Sequence, residues 1–205
     1  MFLTHIGRSE KVFIMKRLLI ILILTLNFQS WTKADDVSDF EIEGISIGDS
    51  LLDYFSEEEI NNFTIDYYPK SKKFFVRDSN SSKFKVYDGM QFALKKNNYK
   101  IYGLSGALYF ENLDHCLSHK ESVEKQVSDI FKDLKKFSTE GIHYGDPSGK
   151  SYHYQTQYTF AKGGVIAVEC VDWSDKMKDI NNWWDHFSIT IYSKEYEKFV
   201  RNEGY

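Results

Sequence analysis

The chain has 205 residues, of which 42% are hydrophobic and 27% charged, with a formal net charge of −4. That is enough length for one domain with a real core, and the acidic balance excludes a protein that holds nucleic acid through nonspecific neutralisation of phosphates. The two cysteines, Cys116 and Cys170, allow a single pairing.

Near the start, Met15, Lys16 and Arg17 lead into an almost unbroken aliphatic run, Leu18–Leu26, and the small residue Ala34 follows. Charge, short apolar run and small residue form the layout of a secretory signal peptide, and the run is short for a helix that stays in a membrane. Residues 1–14 lack this layout, so translation is expected to begin at Met15, with residues 1–34 as the leader and 35–205 as one exported domain. No cysteine stands near residues 26–34, which argues against a lipid anchor, and membrane contact is expected only through the signal peptide during export. Cleavage removes Arg8, Lys11, Lys16, Arg17 and Lys33 but only Glu10 among the acids. The mature part is therefore more acidic still, and nucleic acid is not an expected partner.

The mature chain opens with a strand-like segment, Phe40, Ile42, Ile45 and Ile47, interrupted by Gly44. Ser50 with Asp53, and Ser56 with Glu59, have the spacing of capping boxes and predict two short helical turns. From Phe63 to Phe110 the period becomes that of strands: 64–68, 73–77, 83–87, 90–95 and 99–110, with Asp88-Gly89 as the strongest hairpin signal. Ser118 and Glu121 have capping-box spacing too, and Val123, Val127, Ile130, Phe131, Leu134 and Phe137 then recur at helical intervals, predicting one long amphipathic helix. A polar loop is expected over 138–151. Tyr152, Tyr154, Thr156, Tyr158 and Phe160 begin a second hairpin that turns at Lys162-Gly163-Gly164 and returns through Val165–Asp172. Phe187, Ile189 and Ile191 alternate before a short terminal helix. The expected fold is α+β, an antiparallel β-meander packed against one long helix in a single domain. In an oxidising compartment Cys116 and Cys170 are expected to form a disulfide.

Ile42 to Ile60, reading IEGISIGDSLLDYFSEEEI, resembles the opening of exported proteins from marine alphaproteobacteria, a resemblance that brings no activity with it. Gly44 to Phe55 is also similar to the strand-turn-helix opening of the SmpA/OmlA-like outer-membrane assembly lipoproteins, although their lipidated Cys and Leu-Gly-x-Pro are missing here. Gly48-Asp49-Ser50-Leu51 resembles the GDSL esterase motif, which implies Ser50 as a nucleophile. That family's Asp-x-x-His pair has no counterpart, because Trp183 and Lys150 stand three residues before His186 and His153.

Two regions have the composition of a ligand site. The segment 141–150 combines His143, Tyr144 and Asp146 with three glycines, and His153 lies in its flank; such loops carry function when a rigid sheet holds them. Trp183 and Trp184 stand among acids and could line a groove by stacking on an apolar ligand face. His115, Cys116 and His119 crowd together, yet their spacing suggests no complete metal set, and no metal or cofactor is expected. The sequence thus reads as an exported binding or structural module of the periplasm or the secreted fraction, with no catalytic residue assigned. Its expected partner is a peptide, glycan, small molecule or envelope protein. The alternative is a small serine hydrolase using Ser50, with His143, His153 or His186 as base.

Overall fold

In the computed structural model, residues 36–181 and 183–204 are described; the leader, Met15 and the cleavage point after Ala34 lie outside them. After a 3-10 turn over Val37–Asp39, the chain forms a small hairpin, β1 (Glu41–Ile42) and β2 (Ile45–Ser46), closed by Glu43 and Gly44 at φ of 58° and 75°. Two consecutive positive φ values are what a tight two-residue hairpin turn demands, and glycine adopts one of them without strain. Ser50 caps a short 3-10 turn over Leu51–Asp53 by accepting from the Leu52 N–H. At α1 (Glu57–Asn62) the Ser56–Glu59 capping box forms in both directions.

Four strands follow: β3 (Thr64–Tyr67), β4 (Phe74–Ser79), β5 (Gly89–Lys95) and β6 (Asn98–Tyr109). The chain then crosses through α2 (Leu113–Ile130) and lays down β7 (Lys135–Ile142), β8 (Tyr152–Thr159) and β9 (Val165–Asp172). After α3 (Asp175–Asn181) come β10 (His186–Tyr192) and α4 (Lys194–Phe199). All eight strands from β3 onward form one antiparallel sheet in the order β3-β4-β5-β6-β10-β9-β8-β7. The expected antiparallel sheet is present, built from two meanders of four strands whose last members pair with each other.

Strand alternation gives the sheet two unlike faces. One carries Met90, Phe92 and Leu104, then Phe187, Ile189 and Ile191, then Ile166, Val168 and Cys170, all buried beneath α1, α2 and the N-terminal hairpin. The other, here the open face, carries Gln91, Ser105, Ser188, Thr190, Glu169, Gln155 and Gln157, as their register positions require. Its one end is covered by α4. A Cβ on Gly103 would come within 2.3 Å of the Tyr196 ring, so the absence of a side chain there is what seats the helix. Phe74, Ala93 and Phe199 complete that second, smaller core.

Several boundaries differ from the sequence expectation. Helix α2 starts five residues earlier than the Ser118 cap, because Asn112 Oδ1 accepts from the Asp114 and His115 amides while Ser118 donates back to Asp114 O. It ends at Ile130, and residues 135–142 form a strand. Of the later positions Phe131 is buried and Leu134 packs against the core, but both lie beyond the helix end and Phe137 is exposed on the strand, so the helical spacing of 131–137 is coincidental. The loop is correspondingly shortened to 143–151. Residues 83–87 are irregular, since the Glu43 carboxylate holds their path by accepting from the amides of Lys85, Val86 and Tyr87 at 2.9, 2.6 and 3.2 Å. The tight turn is at Lys96-Asn97, with Asn97 at φ 57°. Gly89 begins β5, where a Cβ would meet Asn80 Oδ1 at 2.8 Å.

Cys116 and Cys170 are joined, with Cα atoms 6.1 Å apart and a sequence separation of 54. The bond pins the first turns of α2 to β9 from within the core. Closing a loop of that length removes unfolded-state entropy worth about 4 kcal/mol. The double substitution Cys116→Ala/Cys170→Ala is therefore expected to lower the melting temperature by roughly 10 °C, measured by circular dichroism without reductant. An unchanged melting temperature would contradict this account.

Candidate functional site

The sheet curls around its open face, so that residues from both of its edges line one cavity. Tyr144, just beyond edge strand β7, and Tyr67, on edge strand β3, line the same cavity of about 300 Å³. Its floor includes Gln91, Ser105 and Thr190, and its walls carry Tyr67, Tyr68, Tyr144, Tyr192 and Tyr196, with Asp66 at one side. Ser105 and Thr190 bond each other across the β6–β10 seam at 2.8 Å. The floor is thus hydroxyl and amide, and the walls are phenolic rings.

Beside Tyr144 lies an aromatic and imidazole cluster. The His143 ring stacks on Tyr144 at 4.8 Å, meets Trp173 at 4.4 Å and His153 at 5.7 Å edge to face. Trp173 in turn packs on Trp183 at 4.4 Å and lies 6.5 Å from His186. The Gly145 N–H donates to His143 Nδ1 at 3.1 Å, which requires the neutral ring. Burial pushes the His143 pKa down, against the pull of Glu169. His153 behaves oppositely: its Nδ1 is 2.9 Å from Glu169 Oε1, and that hydrogen bond raises its pKa despite burial. Two imidazoles in contact are therefore biased toward different protonation states.

Asp146 holds the loop in place. Its Oδ1 accepts from the Ser148 amide, and its Oδ2 accepts from the Ser151 amide, the Ser151 hydroxyl and the Ser174 hydroxyl, at 2.7–3.0 Å. Burial alone would raise this carboxyl, but the donors more than reverse it and hold the group well below the usual carboxylate range. Its oxygens are committed to the fold, tying 143–151 to the start of α3. On the first meander, Asp78 is pushed up to about 7 by burial and by the neighbouring Asp66 carboxylate, with Gln91 opposing. Of these groups Asp66 and Gln91 line the cavity, and Asp78 pairs with Gln91 in the neighbouring strand.

The structure thus brings His143, Tyr144, His153 and Trp183 together, leaves Trp184 61% exposed beyond the cluster, and gives Asp146 an internal role. Tyr67, Tyr68, Gln91, Ser105, Thr190, Tyr192 and Tyr196 had no motif to mark them. The signal available was the polar alternation of His186, Ser188, Thr190 and Tyr192 between buried Phe187, Ile189 and Ile191. Ser50 is elsewhere. It bridges to Lys100, whereas His186 pairs with Tyr109 nine residues along β6, roughly 30 Å away at strand rise. His143 and His153 belong to that far end, and His119 packs there on Phe187. Ser50 serves as a cap. Among the described residues no group of three or more His, Cys, Asp or Glu is placed to hold a metal ion. In comparison with known proteins, the chain matches no family model, no curated protein and no solved structure.

The His153–Glu169 pair makes stability depend on pH. A histidine whose folded pKa is raised above 6.5 adds stability that is complete below that value and is lost as pH rises through the folded pKa. Glu169→Gln is accordingly expected to lower the His153 titration midpoint, followed by imidazole NMR, and to destabilise the protein more at pH 6 than at pH 9 in urea unfolding. Equal midpoints in the two proteins would rule the pairing out.

Proposed function

We propose that the chain is an exported, non-catalytic binding module of the periplasm or secreted fraction, and that it holds a neutral, hydroxyl-rich ligand, a glycan segment, in the tyrosine-walled cavity. The observation that carries this reading is the cavity itself: five tyrosines around a floor of Gln91, Ser105 and Thr190. The exposed rings of Tyr67 and Tyr144 can stack on the apolar faces of sugar rings, while the floor amide and hydroxyls take the equatorial groups. Nothing in the floor supplies a fixed positive charge for an anionic ligand. The Cys116–Cys170 bond supports export, because such bonds persist in oxidising compartments.

The decisive experiment is calorimetric titration with a panel of soluble envelope-type oligosaccharides. Tyr144→Ala is expected to weaken binding about tenfold or more, the loss of one stacking wall, while Trp184→Ala, outside the cavity, leaves it unchanged. Failure of every oligosaccharide to bind would overturn the reading. Ester turnover abolished by Ser50→Ala would replace it with the hydrolase alternative.

A further inference from the structure

The two edges of the large sheet are guarded very differently. β3 is four residues long and runs on toward Pro69, so little of that edge can accept another strand. β7 is eight residues long, pairs with β8 in unbroken register and contains no proline. It is exposed at every residue except Gly141, including Phe137 at 64% and Ile142 at 56%. A long, exposed edge of this kind is a template for another strand.

The ladder shows which backbone groups are free. The His143 N–H donates to Ser151 O at 2.8 Å, in step with the β7–β8 register. In an antiparallel pair the hydrogen-bonded positions alternate, so the odd-numbered residues of β7 turn inward to β8. Lys136, Ser138, Glu140 and Ile142 therefore turn their N–H and C=O groups outward.

The side chains along that edge are complementary to themselves. When an antiparallel second strand of the same sequence is centred with Ser138 opposite Ser138, Lys136 faces Glu140 and Glu140 faces Lys136, so that each Lys136, already 2.9 Å from Glu124 of α2, lies between two carboxylates. Leu134 then meets Ile142, and Phe137 meets Thr139. In this register the outward backbone groups face one another, as a ladder requires. The two neighbouring registers with that property, centred on Phe137 and on Thr139, set Lys136 against Ser138 and against Ile142 respectively, and each loses both charge pairs. Opposite charges directly across a ladder favour pairing, and like charges oppose it.

We propose that β7 is the interface of a homodimer, in which two copies join edge to edge around Ser138 and continue the sheet from one copy into the other. The occupant is a second copy because charge order and backbone phase agree in one register. This inference does not rest on the ligand reading, since the cavity lies on the open face.

The test is analytical ultracentrifugation of the protein expressed as the full 205-residue chain and purified in its natural processing state. Wild type is expected to dimerise, with exchange of the Ser138 amide slowing as concentration rises. Glu140→Lys places a second lysine opposite Lys136 in both cross-strand pairs and is expected to weaken the dimer at least tenfold. Ser138→Pro removes an outward N–H, together with the Ser138–Thr156 hydroxyl bond that Ser138→Ala removes alone as a control, and is expected to abolish the dimer, with thermal unfolding confirming that each variant folds. An equimolar mixture of Glu140→Lys with Lys136→Glu is expected to regain the dimer, because each copy supplies the charge the other lost. The proposal is overturned by a wild type that stays monomeric, including one that instead captures a foreign extended peptide on β7. It is equally overturned by a dimer unmoved by Glu140→Lys and Ser138→Pro, or by a mixture that stays monomeric.

Discussion

Seven residue pairs between β6 and β10, from Tyr109 opposite His186 to Gly103 opposite Tyr192, join the two meanders, and most of the other features follow from that seam. Each meander alone would be a four-stranded sheet with two free edges and half a core. Paired at their last strands, they share one apolar face wide enough for α2 and α1 to cover side by side. They also share one polar face whose centre is the Ser105–Thr190 hydrogen bond. The large apolar burial on one side supplies the driving force, at about 25 cal/mol per Å² removed from water. The opposite side is free to carry groups that contribute little to folding.

That freedom is used unevenly. At one end Tyr196, Phe199, Phe74 and Ala93 convert the polar face into a second core, with Lys95–Glu195 at 2.7 Å and Lys73–Glu203 at 3.4 Å on its rim. At the other end Val171, Trp173 and Met177 form a third cluster, and Asp146 fixes the 143–151 loop over it. Between the two lies the stretch of sheet where hydroxyls, amides and carboxyls remain. The exposed ion pairs on the rim contribute little each. The site is defined by what the flanking aromatic clusters leave uncovered.

The disulfide, the capping box at Ser56, the second hairpin and the alternation of β10 were legible in the sequence because each depends on nearby residues or on a single possible pairing. The ends of α2 were not. Asn112 offered an earlier cap than Ser118, and Phe137 fell on a helical interval by chance while its backbone bonded to β8. Residues 83–87 looked like a strand because they alternate, yet the amides of 85–87 are satisfied by Glu43, a partner more than forty positions away. The candidate site was half readable. His143, Tyr144, His153 and Trp183 stood out by chemistry, whereas the cavity tyrosines became neighbours only through the curl that carries one sheet edge toward the other.

The seat of α4 on the first meander has a consequence for the order in which the chain can assemble. The first four strands are complete once Tyr109 has been made, but their partner strand ends at Tyr192 and the helix that covers Phe74, Ala93 and Gly103 comes later still. The Lys70 N–H even bonds to Gly204 O, so one of the earliest loops waits for the last described residue. Contacts of such long sequence separation are slow to form because closure entropy is met before they reward it. An emerging chain therefore has no half that can finish alone, and the molecule commits to its native state late and as a whole.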